Sequence, residues 1–491
     1  MSDEKKPSIY RHMARGSAWA FLMRWSIRGV GFISTVILAR MLVPEDFGLV
    51  AISGLAIGLV SSFSELGVAQ HLIRKPVINV ADCNTAWTMK LLQQAFVAFI
   101  LALFAPLIAS YFSEPRATMV IYVVAVVGLL EGLQNIGMVL VQKELDFAKD
   151  FRFNVYIKVA QFIVTISLAF VLKSYWALVI GQVVTTIFGL FLSYLMHPYR
   201  PKFSLEKARE FLGLSLYIVP INLARFFRNR FCLLVVGRME TTEVMGYYNV
   251  GDDLSAMATQ ELVLPIGRAL SPSYAKIVTE PQKLAEVYLR VFHVVSTFCF
   301  AIGVGLSVSA QEVVLVVLGD KWHEVIPILQ WLAIYSALTA LARTMTGNIL
   351  IVSGNERLAM MGEWLGLLIL VPFVAGGAFL WGVQGVIWGV TISAIVMLPI
   401  AAYLLSRAIP VRIVNLAVEA YPAVLSAMVM SLGITFLSEE FSTVPVIGLI
   451  LKIIVGATLF VGTSLALWWI RGRPEGFERA IGAFLIQRIT K

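Results

Sequence analysis

The sequence predicts an all-α integral membrane protein of about 14 transmembrane helices, in two six-helix lobes related as a parallel repeat plus two C-terminal helices. Three observations predict it. The 491 residues are 59% hydrophobic and only 14% charged, with a mean hydropathy of +0.83, whereas soluble domains carry roughly 25% charged residues. Apolar runs near the length of about 20 residues that spans a bilayer follow one another along the chain. A stretch near the start of the first half also recurs near the start of the second.

The elements follow in order. Residues 1–16, MSDEKKPSIYRHMARG, are polar and lead into a long apolar run without a short hydrophobic region and cleavage site. They read as a cytoplasmic tail before a retained first helix. The N-lobe, 17–196, holds the runs 17–39, 47–70, 84–111, 117–141, 153–172 and 175–196. A cytoplasmic linker, 197–211, contains the amphipathic stretch SLEKAREFL (204–212 with its last residue). The C-lobe, 212–405, holds 212–236, 244–269, 288–317, 325–352, 358–380 and 382–405. The run 288–317 is long enough to expect a break near Gly303 or Gly305. Residues 406–470 add the runs 413–437 and 444–470. The tail 471–491 places Phe477, Ile481, Phe484, Leu485 and Ile489 on one helical face, the pattern of a helix lying on the inner leaflet. Pro220, Pro265 and Pro372 are expected kink sites.

Orientation follows from the basic residues. With the N-terminus inside, 24 of the 39 lysines and arginines fall on or beside the cytoplasmic segments, and five (Arg40, Arg116, Lys173, Arg238, Lys321) on the opposite side. Both termini are therefore expected in the cytoplasm. The repeat aligns RMLVPEDFG (40–48) with RMETTEVMG (238–246) at an offset of 198, matching Arg40, Met41, Glu45 and Gly48 to Arg238, Met239, Glu243 and Gly246. Both stretches join the first two runs of a six-run group, a common transporter plan with the site at the repeat interface.

Other classes are poorly served. The net charge of +9 is spread over short loops, which argues against nucleic acid. Cys83, Cys232 and Cys299 are scattered and form no CxxC, so buried thiols are expected and no metal or cofactor. GxxxxGK[ST], HExxH and GxSxG are absent, so no catalytic residue is assigned and the chain is not expected to be an enzyme.

What remains is charge inside the apolar runs. Arg225 lies 13 residues past Leu212, about 20 Å deep at 1.5 Å per residue, where an isolated charge costs roughly 2.5–3.5 kcal/mol on insertion scales. Arg225 and Arg228 share a face of their run, as Arg24 and Arg28 do in the equivalent run of the first lobe. A guanidinium fork suits phosphate oxygens, so Arg24, Arg28, Arg225, Arg228 and Arg343 are the candidate lining of a cationic cavity for a pyrophosphate or an acidic sugar. Arg24 has the alternative of snorkelling to the inner surface, and Arg230 reads as a snorkeller. Lys90, Arg268 and Lys452 read as interfacial anchors, while Lys158 is intramembrane without an assigned role. Among the intramembrane acids Glu65, Glu131, Asp252, Asp253, Glu261 and Glu363, Asp252 and Asp253 are the candidates for ion pairing with Arg225 or Arg228, or for proton coupling.

Four stretches together carry a family resemblance: TVILARMLVPEDFGLVAI (35–52), VLVQKELDF (139–147), LSPSYAKI (270–277) and LGDKWHEVIPILQ (318–330). In order along nearly the whole chain, they resemble the polysaccharide flippases of the multidrug/oligosaccharidyl-lipid/polysaccharide (MOP) exporter superfamily, in particular the Wzx-like branch of exopolysaccharide and colanic-acid exporters. The resemblance implies flipping of a polyprenyl-pyrophosphate-linked sugar unit across a bacterial inner membrane. Its implied partners are that lipid-linked oligosaccharide, membrane lipid, and a polysaccharide polymerase with its export machinery. This branch also tends to carry arginine at the positions of Arg268 and Arg343, whereas Arg225, Arg228 and Arg230 match no family pattern. The rival readings are a lipid II-type flippase or a multidrug antiporter of the same fold and, from another class, a membrane glycosyltransferase or polymerase.

Overall fold

A computed structural model describes residues 6–64, 68–75, 77–144, 146–437 and 444–471. Among them every regular element is helical. In order these are α1 (Lys6–Met41), α2 (Pro44–Ser64), α3 (Val68–Arg74), α4 (Val80–Tyr111), α5 (Arg116–Gly132), α6 (Gly137–Lys143), α7 (Phe147–Leu172), α8 (Trp176–Met196) and α9 (Ala208–Met239). There follow α10 (Thr242–Ile277), α11 (Pro281–Val308), α12 (Ala310–Val317), a 3₁₀ turn Asp320–Trp322, α13 (Val325–Thr346), α14 (Asn348–Val352), α15 (Glu356–Ala408), α16 (Ile413–Leu437) and α17 (Pro445–Ile470). Among the described residues nine helices are long and apolar enough to cross a membrane, ten if α5 and α6 count as one span bent by 62°. The expected surface helix of the tail lies outside the described residues.

Three helix breaks have a visible reason, one at the border between two apolar runs and two inside runs. In α15, a 53-residue element, Trp381 and Gly382 leave helical geometry, at the border between the runs 358–380 and 382–405. Gly382 has φ +57°, a conformation that costs least without a Cβ. Beyond this break the two halves pack backbone to backbone: a Cβ on Gly377 would lie 2.1 Å from the Gly385 carbonyl oxygen, and one on Gly385 1.9 Å from that of Gly377. Small residues permit such an approach, so α15 is a helical hairpin. The helix runs on through Pro372; the break comes instead at Trp381 and Gly382.

The run 288–317 breaks at Ser309, between α11 and α12, and not near Gly303 or Gly305. Gly303 stays helical because it is a packing position: a Cβ there would lie 2.5 Å from Ala337 Cβ in α13. The run 117–141 breaks between α5 and α6 around Asn135. The Asn135 amide donates to the Tyr199 carbonyl at 2.7 Å, its oxygen accepts from Gly137 N at 2.8 Å, and its backbone N–H donates to Ser193 Oγ at 3.1 Å. The side chains of Asn135 and Ser193 thus satisfy two backbone N–H groups at the bend, those of Gly137 and Asn135.

By compactness the chain divides into one unit of residues 1–230 and 240–246 and a second of 231–239 and 247–491. The division falls inside α9, within the run 212–236 that the sequence reading places at the start of the C-lobe. In the first unit α4 packs on α5, α7 on α8, α1 on α7, and α2 on α4 and α5. Phe211, in the first turn of α9, is fully buried with Leu72, Cys83 and Trp87.

The same unit contains a close crossing of α2 with the first turn of α10. A Cβ on Gly48 would lie 1.8 Å from the Thr242 carbonyl oxygen, and one on Gly246 would lie 1.9 Å from that of Pro44. The offset of 198 maps Gly48 onto Gly246 and Pro44 onto Thr242, so it converts each contact into the other.

In the second unit α13 packs against both α11 and α15, and α16 against α11 and α17. Ser255 Oγ of α10 lies 3.0 Å from Ser336 Oγ of α13, both buried. All three cysteines are free and buried.

Candidate functional site

Of the candidate arginines, Arg24, Arg28, Arg225 and Arg228 belong to the first unit and Arg343 to the second. The side chain of Arg24 lies outside the described residues, as do those of Glu65, Glu261 and Arg268. Arg28 is exposed on α1. Across the α1–α7 contact it lies near enough to Lys158 for its charge to bear on that lysine. Gly31, one turn along, makes the room: a Cβ there would lie 3.6 Å from Lys158 Cε. Lys158 Nζ donates to Gln161 Oε1, a neutral acceptor, at 2.9 Å. The structure therefore places two like charges near each other on α1 and α7, and gives Lys158 a place beside a candidate that the sequence reading did not assign to it.

Arg225 is exposed and Arg228 partly buried on α9, with Arg228 Nε shielded from solvent. Their α-carbons project about 60° apart at 100° per residue. Phe226 holds this part of α9 to α2: a Cβ on Gly58 would come within 2.8 Å of its ring. Arg230 is exposed.

In the second unit, Arg343 is partly buried near the end of α13, with its Nε also shielded. A Cβ on Gly362 of α15 would lie 3.3 Å from the Thr346 side chain, three residues beyond Arg343. Asp252 is partly buried and Asp253 exposed on α10. Asp252 lies close to Cys232 and Tyr248, which are buried and hydrogen-bonded to each other.

Two intramembrane cations read as interfacial anchors are placed otherwise. Lys452 of α17 is 7% exposed, and its Nζ lies 2.7 Å from Glu312 Oε1 of α12. Lys90 of α4 is partly buried and lies near Glu131 of α5. Burial explains both corrections, since a charge removed from water is retained by an opposite partner. Glu312 lies inside the run 288–317 and is missing from the intramembrane acids picked out by sequence. Its signal was the pair Gln311–Glu312 amid apolar residues.

The ends of the spans carry two polar clamps. Lys75 Nζ bonds Asp82 at 2.7 Å and Glu210 at 2.8 Å, and Lys207 Nζ lies 3.4 Å from Asp82. Asp82 also forms a capping box with Asn79 at the start of α4. Burial alone would push the Asp82 carboxyl up, but the Lys75 bond, the Asn79 amide and both lysine charges together hold it below its ordinary value. Lys75 is raised by its hydrogen bonds to Asp82 and Glu210. The second clamp has Arg116 bonding Glu114 through Nε at 2.7 Å and Nη2 at 2.8 Å, with Glu45 as a further partner. Thr242 Oγ1 donates to Glu114 at 2.9 Å, beside the Gly48–Gly246 crossing. The Arg116 hydrogen bonds, and Thr242, hold the Glu114 carboxyl below its usual range.

Known proteins share this architecture. Residues 37–327 match the family described as polysaccharide biosynthesis protein. A lipopolysaccharide biosynthesis protein, WzxC, of Escherichia coli (strain K12) is 24% identical over 400 residues, covering 79% of this chain and 80% of that protein. An uncharacterized membrane protein in the cps region of Klebsiella pneumoniae is 23% identical over 462 residues, covering 91% and 94%. Among solved structures, a lipid II flippase MurJ in an inward closed conformation superposes with a TM-score of 0.71 at 13% identity, covering 94% of this chain and all of that one. An inward-facing multidrug resistance MATE transporter of the MOP superfamily gives 0.56 at 15% identity, covering 79% and 98%. The chain therefore belongs to the polysaccharide biosynthesis protein family, with the fold shared by the MurJ and MATE structures.

Proposed function

We propose that this protein flips a polyprenyl-pyrophosphate-linked oligosaccharide repeat unit across the bacterial inner membrane, for exopolysaccharide, O-antigen or capsule export, by alternating access through a cationic central cavity. The reading takes the chain as fourteen spans with both termini in the cytoplasm, the plan given by the apolar runs and the basic-residue asymmetry. The observation that carries it beyond the family is the gathering of Arg28 with Lys158 on α1 and α7, in the same unit as Arg225 and Arg228. Like charges near each other in a low-dielectric region repel, and an anionic headgroup relieves that repulsion. Arg28, Arg225, Arg228 and Arg343, with Arg24, are the substrate-binding set, and Lys158 joins them. Guanidinium forks would take the pyrophosphate oxygens in bidentate fashion. Asp252 and Asp253 are the coupling or ion-pair candidates. A polysaccharide polymerase and its export machinery would receive the flipped unit.

The test is genetic and chemical. Deletion of the gene should cause a polyprenyl-pyrophosphate oligosaccharide to accumulate on the cytoplasmic side. Complementation with Arg225→Ala/Arg228→Ala should fail at normal protein levels; full surface polysaccharide from that variant would remove those residues from the set. A second reading, a lipid II-type flippase, is favoured by the MurJ superposition alone. Accumulation of lipid II, together with loss of viability, would select it.

A further inference from the structure

In the first unit the end of α6, the start of α4 and the stretch after α8 border a cavity of about 400 Å³. That volume lies within the usual range for small-ligand sites, about 300–1,000 Å³. Asn79, Lys143 and Glu144 are polar groups of its lining, and Ile78, Val80 and Leu140 form an apolar wall.

The lining puts two opposite charges on consecutive residues. Lys143 Nζ donates to the Leu72 carbonyl at 3.4 Å and to that of Lys75. These bonds fix the ammonium beside the cavity and leave one of its three donors for a ligand. Glu144 is exposed, and among the described residues no hydrogen bond or ion pair uses its carboxylate. The His197 ring is near enough to feel that carboxylate but does not neutralise it. Burial and the Lys149 charge push His197 below its ordinary value, and its Nδ1 accepts from Tyr199 N at 3.2 Å. Asn79 gives its side-chain oxygen to Asp82 N at 2.9 Å, which leaves its amide N–H groups as donors.

These groups specify the ligand's chemistry. A lone phosphate would meet the Glu144 charge, and a lone amine would meet that of Lys143. A phosphate taken by Lys143 and Asn79, with a primary ammonium given to Glu144, satisfies both charges through charge-assisted hydrogen bonds. A quaternary ammonium has no N–H to give. Val80 of the wall and Val77, just before Ile78, are 66% and 79% exposed. Bare apolar side chains at the end of a membrane helix suit acyl chains better than water, and on the orientation proposed above this end lies at the inner leaflet. We propose that this cavity binds the headgroup of an aminophospholipid of the phosphatidylethanolamine type, at a site separate from the arginine set. A pyrophosphate would be repelled here by Glu144, so the ligand is not the transported lipid.

The experiment is native mass spectrometry of the full chain in detergent with equal amounts of phosphatidylethanolamine, phosphatidylcholine and phosphatidylglycerol of the same acyl chains. Wild type should retain phosphatidylethanolamine over each of the others by about fivefold or more, the worth of one hydrogen bond to a charged group. Retention should fall along the N-methyl and N,N-dimethyl derivatives. Glu144→Gln should abolish the preference over phosphatidylcholine, and Glu144→Lys should turn it toward phosphatidylglycerol, both at unchanged elution and melting temperature. Glu144 is exposed, so Glu144→Gln keeps a folded variant available even if Glu144→Lys unfolds. Equal retention of phosphatidylethanolamine and phosphatidylcholine by wild type would overturn the proposal, as would an unchanged preference in folded Glu144→Gln. Wild-type preference for phosphatidylglycerol would make this a plain anion site and overturn it too. Soluble phosphoethanolamine separates the sources: its binding with no lipid retained would overturn the lipid assignment. None of these readouts depends on flipping, so failure of the transport reading and failure of this one are distinguishable.

Discussion

Lys158 on α7 and Lys452 on α17 are both lysines in apolar helices, and they meet opposite surroundings. Lys452 is sealed against Glu312 at 2.7 Å, a pair whose net charge is zero. Lys158 donates to the neutral amide of Gln161 and has Arg28 as its charged neighbour. A paired charge holds helices together, whereas like charges brought near each other repel. Within one chain, the same residue type therefore marks two different kinds of site.

The largest effect should come from breaking the neutral pair. Lys452→Met leaves Glu312 buried without its partner and should cost about 3–5 kcal/mol, read as a fall in melting temperature of purified protein. The double variant Glu312→Gln/Lys452→Met should recover most of it. If the single variant melts like wild type, the pair is not buried as a unit.

Next, Lys158→Glu should turn the gathered charges into an ion pair with Arg28. Thermal stability should hold or rise, while surface polysaccharide falls at least tenfold; unchanged export would show that this cluster does not face substrate. Arg28→Lys keeps the charge but removes the fork, so a smaller export defect, a few-fold at most, should follow with no stability change. An effect equal to that of Arg28→Ala would mean that geometry, not charge, governs the site.

The smallest effect separates both sites from the loop clamp at Asp82. Its folded pKa is lowered, so its stabilisation is present above the ordinary aspartate value near 4 and is lost as pH falls through the lowered folded value. Lys75, raised by Asp82 and Glu210, acts oppositely: its contribution is present below the usual lysine value and lost as pH rises through the raised one. Asp82→Asn should flatten the acid limb of a melting-temperature profile, lowering the neutral value by about 2–4 °C without changing export.

Much of this architecture is local and so readable from the chain. Apolar runs are a solvation property of about 20 consecutive residues, which is why the border between 358–380 and 382–405 coincides with the non-helical Trp381 and Gly382. The repeat at offset 198 was visible as four identities in nine. Only the structure shows that its two glycines exchange contacts with Pro44 and Thr242. Gly303 misled because a glycine needed for packing on Ala337 looks the same in sequence as one that ends a helix.

The sequence by itself determined that this is a helical membrane protein, which residues carry charge into its spans, and, through four ordered motifs, its family. Tertiary structure alone decided the company those charges keep. Arg28 meets Lys158, Lys452 meets Glu312, and Lys90 lies near Glu131, because such meetings depend on the rotational phase and depth of separate helices. Hydropathy sums over a helix without recording its phase, and side chains on separate helices leave no local signature of contact.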